Sequence, residues 1–172
     1  MKETEKAFLW LTKILEQKGI RYRISGGFAA RVYGVDRELA DIDIEIADKD
    51  IPFIIEDIKP YIIFGPARYK DENWDLNLVT LRYLGQEIDM ASINAKIFNQ
   101  KTKLWEKLSS KLDDFEIRSV FGKKVPIEPI KSMISYKTNL ARDVDLEDVR
   151  QLKIIATHTP KSKYGKRDKI RL

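Results

Sequence analysis

The stretch that decides the fold is residues 25–46, SGGFAARVYGVDRELADIDIEI. It reads as a glycine turn, a short helix, and a strand carrying Asp41-Ile42-Asp43. In a strand, residues i and i+2 point to the same face. Asp41 and Asp43 therefore stand side by side, with Ile42 and Ile44 turned into a core. Two carboxylates this close repel each other, and a divalent cation between them resolves the conflict. Gly26 and Gly27, placed just before a helix, offer backbone N–H groups to phosphate. The combination points to metal-dependent phosphoryl or nucleotidyl transfer. Leu39, Ile42, Ile44 and Ile46 make the strand at least half buried, where an unpaired carboxylate is costly. Glu45 is expected at the surface. Asp48 and Asp50 are expected in the turn and helix start that follow.

Working outward, residues 2–18 carry Phe8, Leu11, Ile14 and Leu15 at helical spacing, and Gly19 ends that helix. Residues 21–25 read as a strand, and 28–33 as a short helix closed by Gly34. Residues 50–58 read as a helix, with Pro52 in its first turn and Pro60 past its end. A strand at 61–64 stops at Gly65-Pro66, and the polar run 68–73 reads as a loop. Residues 76–83 and 87–93 alternate and form an antiparallel pair across Gly85-Gln86. A helix is expected from 93 or 101 to 112, then a hairpin with strands 115–120 and 124–127. Two helices follow, at 130–142 and 146–157, separated by a break at 143–145 with Asp145 as the N-cap. Asp89, in the second strand of the pair, is the third carboxylate that could complete a site with Asp41 and Asp43. On spacing alone it fits equally well on a polar surface, and Glu87 is a weaker candidate for the same role. Two metals roughly 3.5–4 Å apart would clamp attacking and leaving groups in such a site.

The run Ser25-Gly26-Gly27, a short helix, Asp41-Ile42-Asp43 and a later strand Asp89 resembles the nucleotidyltransferase superfamily. It is closest in look to minimal members, the lincosamide-type and abortive-infection-toxin-like nucleotidyltransferases. The resemblance covers residues 20–93, where thirteen residues separate the Gly-Gly turn from Asp-x-Asp. It implies an α+β fold: a mixed β-sheet flanked by helices, with the C-terminal helices packed alongside. It also implies transfer of a nucleoside monophosphate from an NTP to an acceptor hydroxyl, with release of pyrophosphate. Asp41, Asp43 and Asp89 would then be the catalytic and Mg²⁺-binding residues. Ser25, Gly26 and Gly27 would meet the triphosphate. Arg37 stands where some members place a Thr or Arg facing the phosphates, and Lys137 matches a helix lysine that reaches the nucleotide, with Tyr136 beside it. The acid-rich start of the next helix would brace that lysine.

Composition bounds the rest. The chain has 172 residues with 43% hydrophobic and 34% charged, which suits one cytoplasmic domain over 1–160. There is no cysteine and one histidine, His158, so thiol chemistry and histidine-rich metal sites are excluded. No apolar run approaches the roughly 18 residues of a membrane span, and the N-terminal MKETEKAF is too acidic for a signal peptide. The net charge of +5 resides in the tail 161–172, where six bases face one acid. That tail is read either as an arm for an RNA end or as a solubilising terminus. A chain this short leaves the acceptor side to a small molecule, to an RNA end, or to a second subunit in a homodimer. The rival readings are a non-catalytic nucleotide- or RNA-binding protein of the same fold, and a protein-interaction module of a two-component system. A Rossmann domain is poorly supported, because Ser-Gly-Gly-Phe-Ala lacks the G-x-G-x-x-G spacing.

Overall fold

The computed structural model describes residues 3–108 and 110–158. The basic tail lies outside them. The fold is α+β, as expected: a mixed sheet flanked by helices. The chain begins with α1 (Thr4–Gln17), β1 (Tyr22–Ile24), α2 (Gly26–Tyr33) and β2 (Asp41–Ile46). A 3-10 turn (Asp48–Phe53) and the one-turn α3 (Ile55–Ile58) come next. They replace the single helix expected over 50–58: the turn begins earlier, at Asp48, which puts Pro52 past its first turn, where the missing N–H interrupts an α-helical ladder.

Then come β3 (Ile62–Lys70), β4 (Trp74–Tyr83), β5 (Gln86–Ser92), β6 (Lys96–Asn99), β7 (Leu104–Lys107), β8 (Glu116–Val120) and β9 (Lys123–Ile127). Two helices, α4 (Ile130–Leu140) and α5 (Asp143–His158), complete the described chain. Strand order is β7-β6-β4-β5-β2-β1-β9-β8, with β3 paired to β4. β2 and β5 are parallel neighbours, and β1 runs antiparallel to β2.

Three further expectations are corrected. β3 runs through Pro66 to Lys70, so the first half of the expected loop at 68–73 is strand and only 71–73 are loop. Register shifts near Phe64 and Ala67 accommodate the proline, and Arg68 binds Asp75 across the pair at 2.7 and 2.8 Å. The helix expected up to 112 is instead the β6–β7 hairpin. Its turn is set by Asn99, whose Oδ1 accepts from the Lys101 and Thr102 N–H groups, and by Lys103 at φ 57°. The last helix starts at Asp143, because the break is confined to Ala141 at φ 52° and Arg142. Asp145 is therefore inside the helix rather than its N-cap.

The core lies on the apolar face of the central strands. Ile42, Ile44, Ile88 and Leu81 are fully buried there with Phe8, Leu11 and Leu15 of α1. Trp10 of α1 stacks on Tyr83 of β4 at 4.2 Å and meets Tyr61 edge-on. α2 packs on β2 and touches both α4 and α5. The opposite face of the same strands is left to polar residues.

Candidate active site

Period-two alternation puts Asp41, Asp43 and Glu45 on that polar face, with Glu87, Asp89 and Ala91 beside them on β5. The two strands are in register, Asp41 opposite Glu87 and Asp43 opposite Asp89. Thr80 of β4 lies opposite Asp89, and its hydroxyl donates to Asp89 Oδ1 at 2.6 Å. The three aspartates line a cavity of about 580 Å³ together with Ser25, Gly26, Gly27, Arg37 and Lys137. All the residues singled out in the sequence thus reach one cleft.

Gly26 stands at φ +61° and opens α2, with only Ser25, the N-cap, between it and the end of β1. The Gly27 N–H donates to Asp43 Oδ2 at 2.8 Å, and the Phe28 N–H approaches it at 3.4 Å. In this structure, then, the turn grips a carboxylate. A Cβ at position 26 would fall on that carboxylate. Gly26→Ala is therefore expected to cost more than the ~1–2 kcal/mol of a left-handed alanine, and to displace Asp43. Gly19, at φ +66° with nothing within 4 Å of its would-be Cβ, is the control. Urea unfolding should show the backbone penalty alone in Gly19→Ala, and an added loss in Gly26→Ala. Equal losses would mean the carboxylate contact is inconsequential.

Opposite the aspartates runs a row of cations. The Arg37 Nη1–H donates to Asp148 Oδ2 at 2.7 Å. Lys137 Nζ bridges Asp148 Oδ2 at 2.8 Å and Asp145 Oδ1 at 3.1 Å. Arg142 donates to both Asp145 oxygens, at 2.6 and 3.1 Å. Lys137, Asp145 and Asp148 are buried, whereas the Arg37 and Arg142 side chains are 23% and 39% exposed along the cleft. Three cations on two anions leave one positive charge. Burial raises the Asp145 carboxyl, but Arg142 and Lys137 outweigh it and hold the group below the usual range.

On the acidic side, burial and then the charges of Asp41 and Asp89 push Asp43 up to about 7. Burial also raises Asp89, against the opposing bond from Thr80. Among the described residues, no three carboxylate, histidine or cysteine groups form a ready-made metal cage.

Glu45 corrects the sequence reading: it shares the face of the aspartates and is buried. The Arg23 Nε–H donates to Glu45 Oε2 at 2.8 Å, as does the Ser110 hydroxyl. Arg23, 2% exposed, also donates to the carbonyls of Lys111 and Asp114 and so straps that segment over β1. Glu128 Oε1 lies 3.6 Å from the same guanidinium, while Oε2 is buried with no partner. Sequence reasoning missed this cluster, because isolated charges in short strands carry no motif. The one usable signal was that 45 follows 43 by two.

Burial, then Glu45, pushes Glu128 up to about 8 against the pull of Arg23. The folded protein therefore binds a proton that the unfolded chain releases near pH 4–5. Stability from this group is fully present below that point and falls as pH rises toward 8. Glu128→Gln should flatten that part of the stability–pH curve, read as thermal midpoints from pH 5 to 9. An unchanged slope would show that Glu128 is ionised throughout.

Comparison with solved structures shows several of the same architecture. A candidate nucleotidyltransferase from Thermotoga maritima aligns with a TM-score of 0.61 at 17% identity, over 91% of this chain and 94% of its own. The lincosamide antibiotic adenylyltransferase LnuA, bound to lincomycin, aligns at 0.58 and 16%, over 90% and 98%. ANT(2'')-Ia, in complex with adenylyl-2''-tobramycin, aligns at 0.55 and 11%, over 90% and 95%. At these identities the likeness establishes the fold. No protein-family model matches the chain, and no curated protein matches it by sequence.

Proposed function

We propose that this chain, which carries the fold of the nucleotidyltransferase superfamily, transfers a nucleoside monophosphate from an NTP to an acceptor hydroxyl. One observation carries the reading. Asp43 and Asp89 lie opposite each other in parallel register, beside a glycine turn and facing a row of cations. The donor set suits Mg²⁺, because it is made of carboxylate oxygens. No lysine or arginine among the described residues forms an ion pair with Asp41, Asp43 or Asp89. Asp41, Asp43 and Asp89 would hold the metal, which would supply positive charge to the attacking and leaving oxygens.

The chain's own residues do the rest. Ser25 and the Gly26-Gly27 turn meet the triphosphate, while the Gly27 and Phe28 N–H groups hold Asp43 in place. Arg37, Lys137 and Arg142 hold the phosphate charge as it shifts toward the leaving group. Asp89, oriented by Thr80, accepts the proton of the acceptor hydroxyl. That oxygen bonds to the α-phosphorus, the α–β bridging bond breaks, and pyrophosphate leaves with the electron pair.

The test is transfer of label from α-³²P NTPs, with pyrophosphate measured in the same reaction. The adenylyl chemistry of two similar structures makes ATP the first nucleotide to try, with lincomycin, tobramycin and RNA 3′ ends as separate acceptor arms. Mg²⁺-dependent transfer with one pyrophosphate per label supports the assignment. Mg²⁺-dependent binding without transfer to any acceptor would favour the non-catalytic nucleotide-binding reading. No Mg²⁺-dependent nucleotide binding at all would overturn both.

A further inference from the structure

Behind the catalytic face, on the other side of the same strands, lies a second cavity of about 430 Å³. Its floor is Ile46 of β2, Val79 of β4 and Met90 of β5, and its far wall is Ile51 and Ile55. The lining is apolar except at one end, where Asp48, Asn77 and Ser92 meet. The volume is within the range of small-molecule sites, roughly 300–1,000 Å³.

Asp48 gives this cavity its chemistry. Its Oδ1 accepts from the Asn77 amide at 2.9 Å, and its Oδ2 accepts from the Ser92 hydroxyl at 2.6 Å and the Asn94 amide at 3.1 Å. All three donors are neutral. Among the described residues no lysine, arginine or histidine makes an ion pair with it. Burial raises this carboxyl, yet these three hydrogen bonds and one from its own backbone N–H hold it below the usual range, so it is ionised at neutral pH. A negative charge with no ion-pair partner among the described residues thus closes one end of an apolar cavity. A metal ion is a poor fit, because two amide N–H groups and a hydroxyl already point at the single carboxylate. The concave shape also suits a small molecule better than a flat protein face.

We infer that this cavity binds a small amphiphilic amine, with its hydrocarbon or aromatic body on Val79 and Met90 and its ammonium on Asp48. The inference stands independently of the proposed reaction. It concerns the opposite face of the sheet and a carboxylate that the reaction does not use.

The test uses the full chain labelled with ¹³C-methyl methionine. The sequence holds three methionines, Met1, Met90 and Met133, so the Met90 methyl reports this cavity with two internal references. Phenethylamine is titrated against 2-phenylethanol and 3-phenylpropionate, which match its shape and change its charge. The expected result is a saturable shift of Met90 but not Met133, with the amine binding at least ~10-fold tighter than the alcohol and the acid not binding; a hydrogen bond to a charged group accounts for that factor. Asp48→Asn should bring amine and alcohol to parity, which separates this cavity from the acidic cleft. Equal binding of amine and alcohol in the wild type would overturn the inference without recourse to any variant. So would amine binding indifferent to Asp48→Asn, or a Met90 signal that responds only to protein concentration, which marks contact between copies.

Discussion

Asp43→Asn is expected to abolish nucleotidyl transfer and, in metal-free buffer at pH 8, to raise the melting temperature. The two effects share one cause. Asp43 stands opposite Asp89 in the strand register and two residues from Asp41, so three acids crowd one wall of the cleft. Burial and those two neighbours push its carboxyl up to about 7. Above that pH the folded state carries a charge that the unfolded chain solvates freely. The raised value costs stability as pH rises from about 4 to about 7, and the cost is relieved on acidification. Because the cleft admits water, the gain from the neutral amide should be on the order of 1–3 kcal/mol at pH 8, vanishing by pH 4. The asparagine oxygen can still accept the Gly27 N–H, so the α2 turn survives. Transfer should nevertheless fall by roughly 10²–10³-fold or more, since the lost charge is what would hold the cation. A variant that is both fully active and no more stable would remove Asp43 from the site. Loss of activity with loss of stability would mean that the residue is structural.

Lys137→Met is expected to destabilise the fold by about 3 kcal/mol, a fall of roughly 6–12 °C in melting temperature. Lys137 is 2% exposed and bridges Asp145 and Asp148, themselves 0% and 1% exposed. Removing it leaves two buried anions, each with one remaining arginine: Arg142 on Asp145 and Arg37 on Asp148. Those arginines keep the loss at the low end for a broken buried pair. A second variant separates structure from binding. Adding Asp148→Asn to Lys137→Met removes one orphaned anion and should recover part of the stability. Affinity for Mg²⁺·NTP, measured by calorimetry, should stay depressed, because the ammonium lining the cleft is still missing. Recovery of both together would show that Lys137 only braces the helices.

The legible part of this protein was the part governed by local periodicity. The Gly-Gly turn, α2, the Asp-x-Asp strand and the β4–β5 pair follow from spacing, whereas the sheet order, which sets β5 beside β2, is what brings Asp41, Asp43 and Asp89 into one cavity. What the sequence hid was set by contacts between distant segments. The β6–β7 hairpin reads as helix in the sequence because its turn depends on Asn99 side-chain bonds and a left-handed Lys103. Pro66 reads as a stop to β3, and only pairing with β4 shows a strand that tolerates it. Asp145 looked like a helix cap, but its partners are Lys137 and Arg142. The buried group of Arg23, Glu45 and Glu128 joins β1, β2 and the end of β9, and only the strand order brings these together.

The central claim is spatial: the metal and the triphosphate share the cleft between the aspartates and the α2 turn. Amide NMR of the full chain with Mn²⁺ and a non-hydrolysable ATP analogue tests it directly, because the paramagnetic ion erases signals near where it sits. The expected result is selective broadening at residues 25–28, 41–43 and 87–89, reversed by excess Mg²⁺ and absent in Asp43→Asn. Broadening centred elsewhere, or none at those residues under saturating nucleotide, would contradict it.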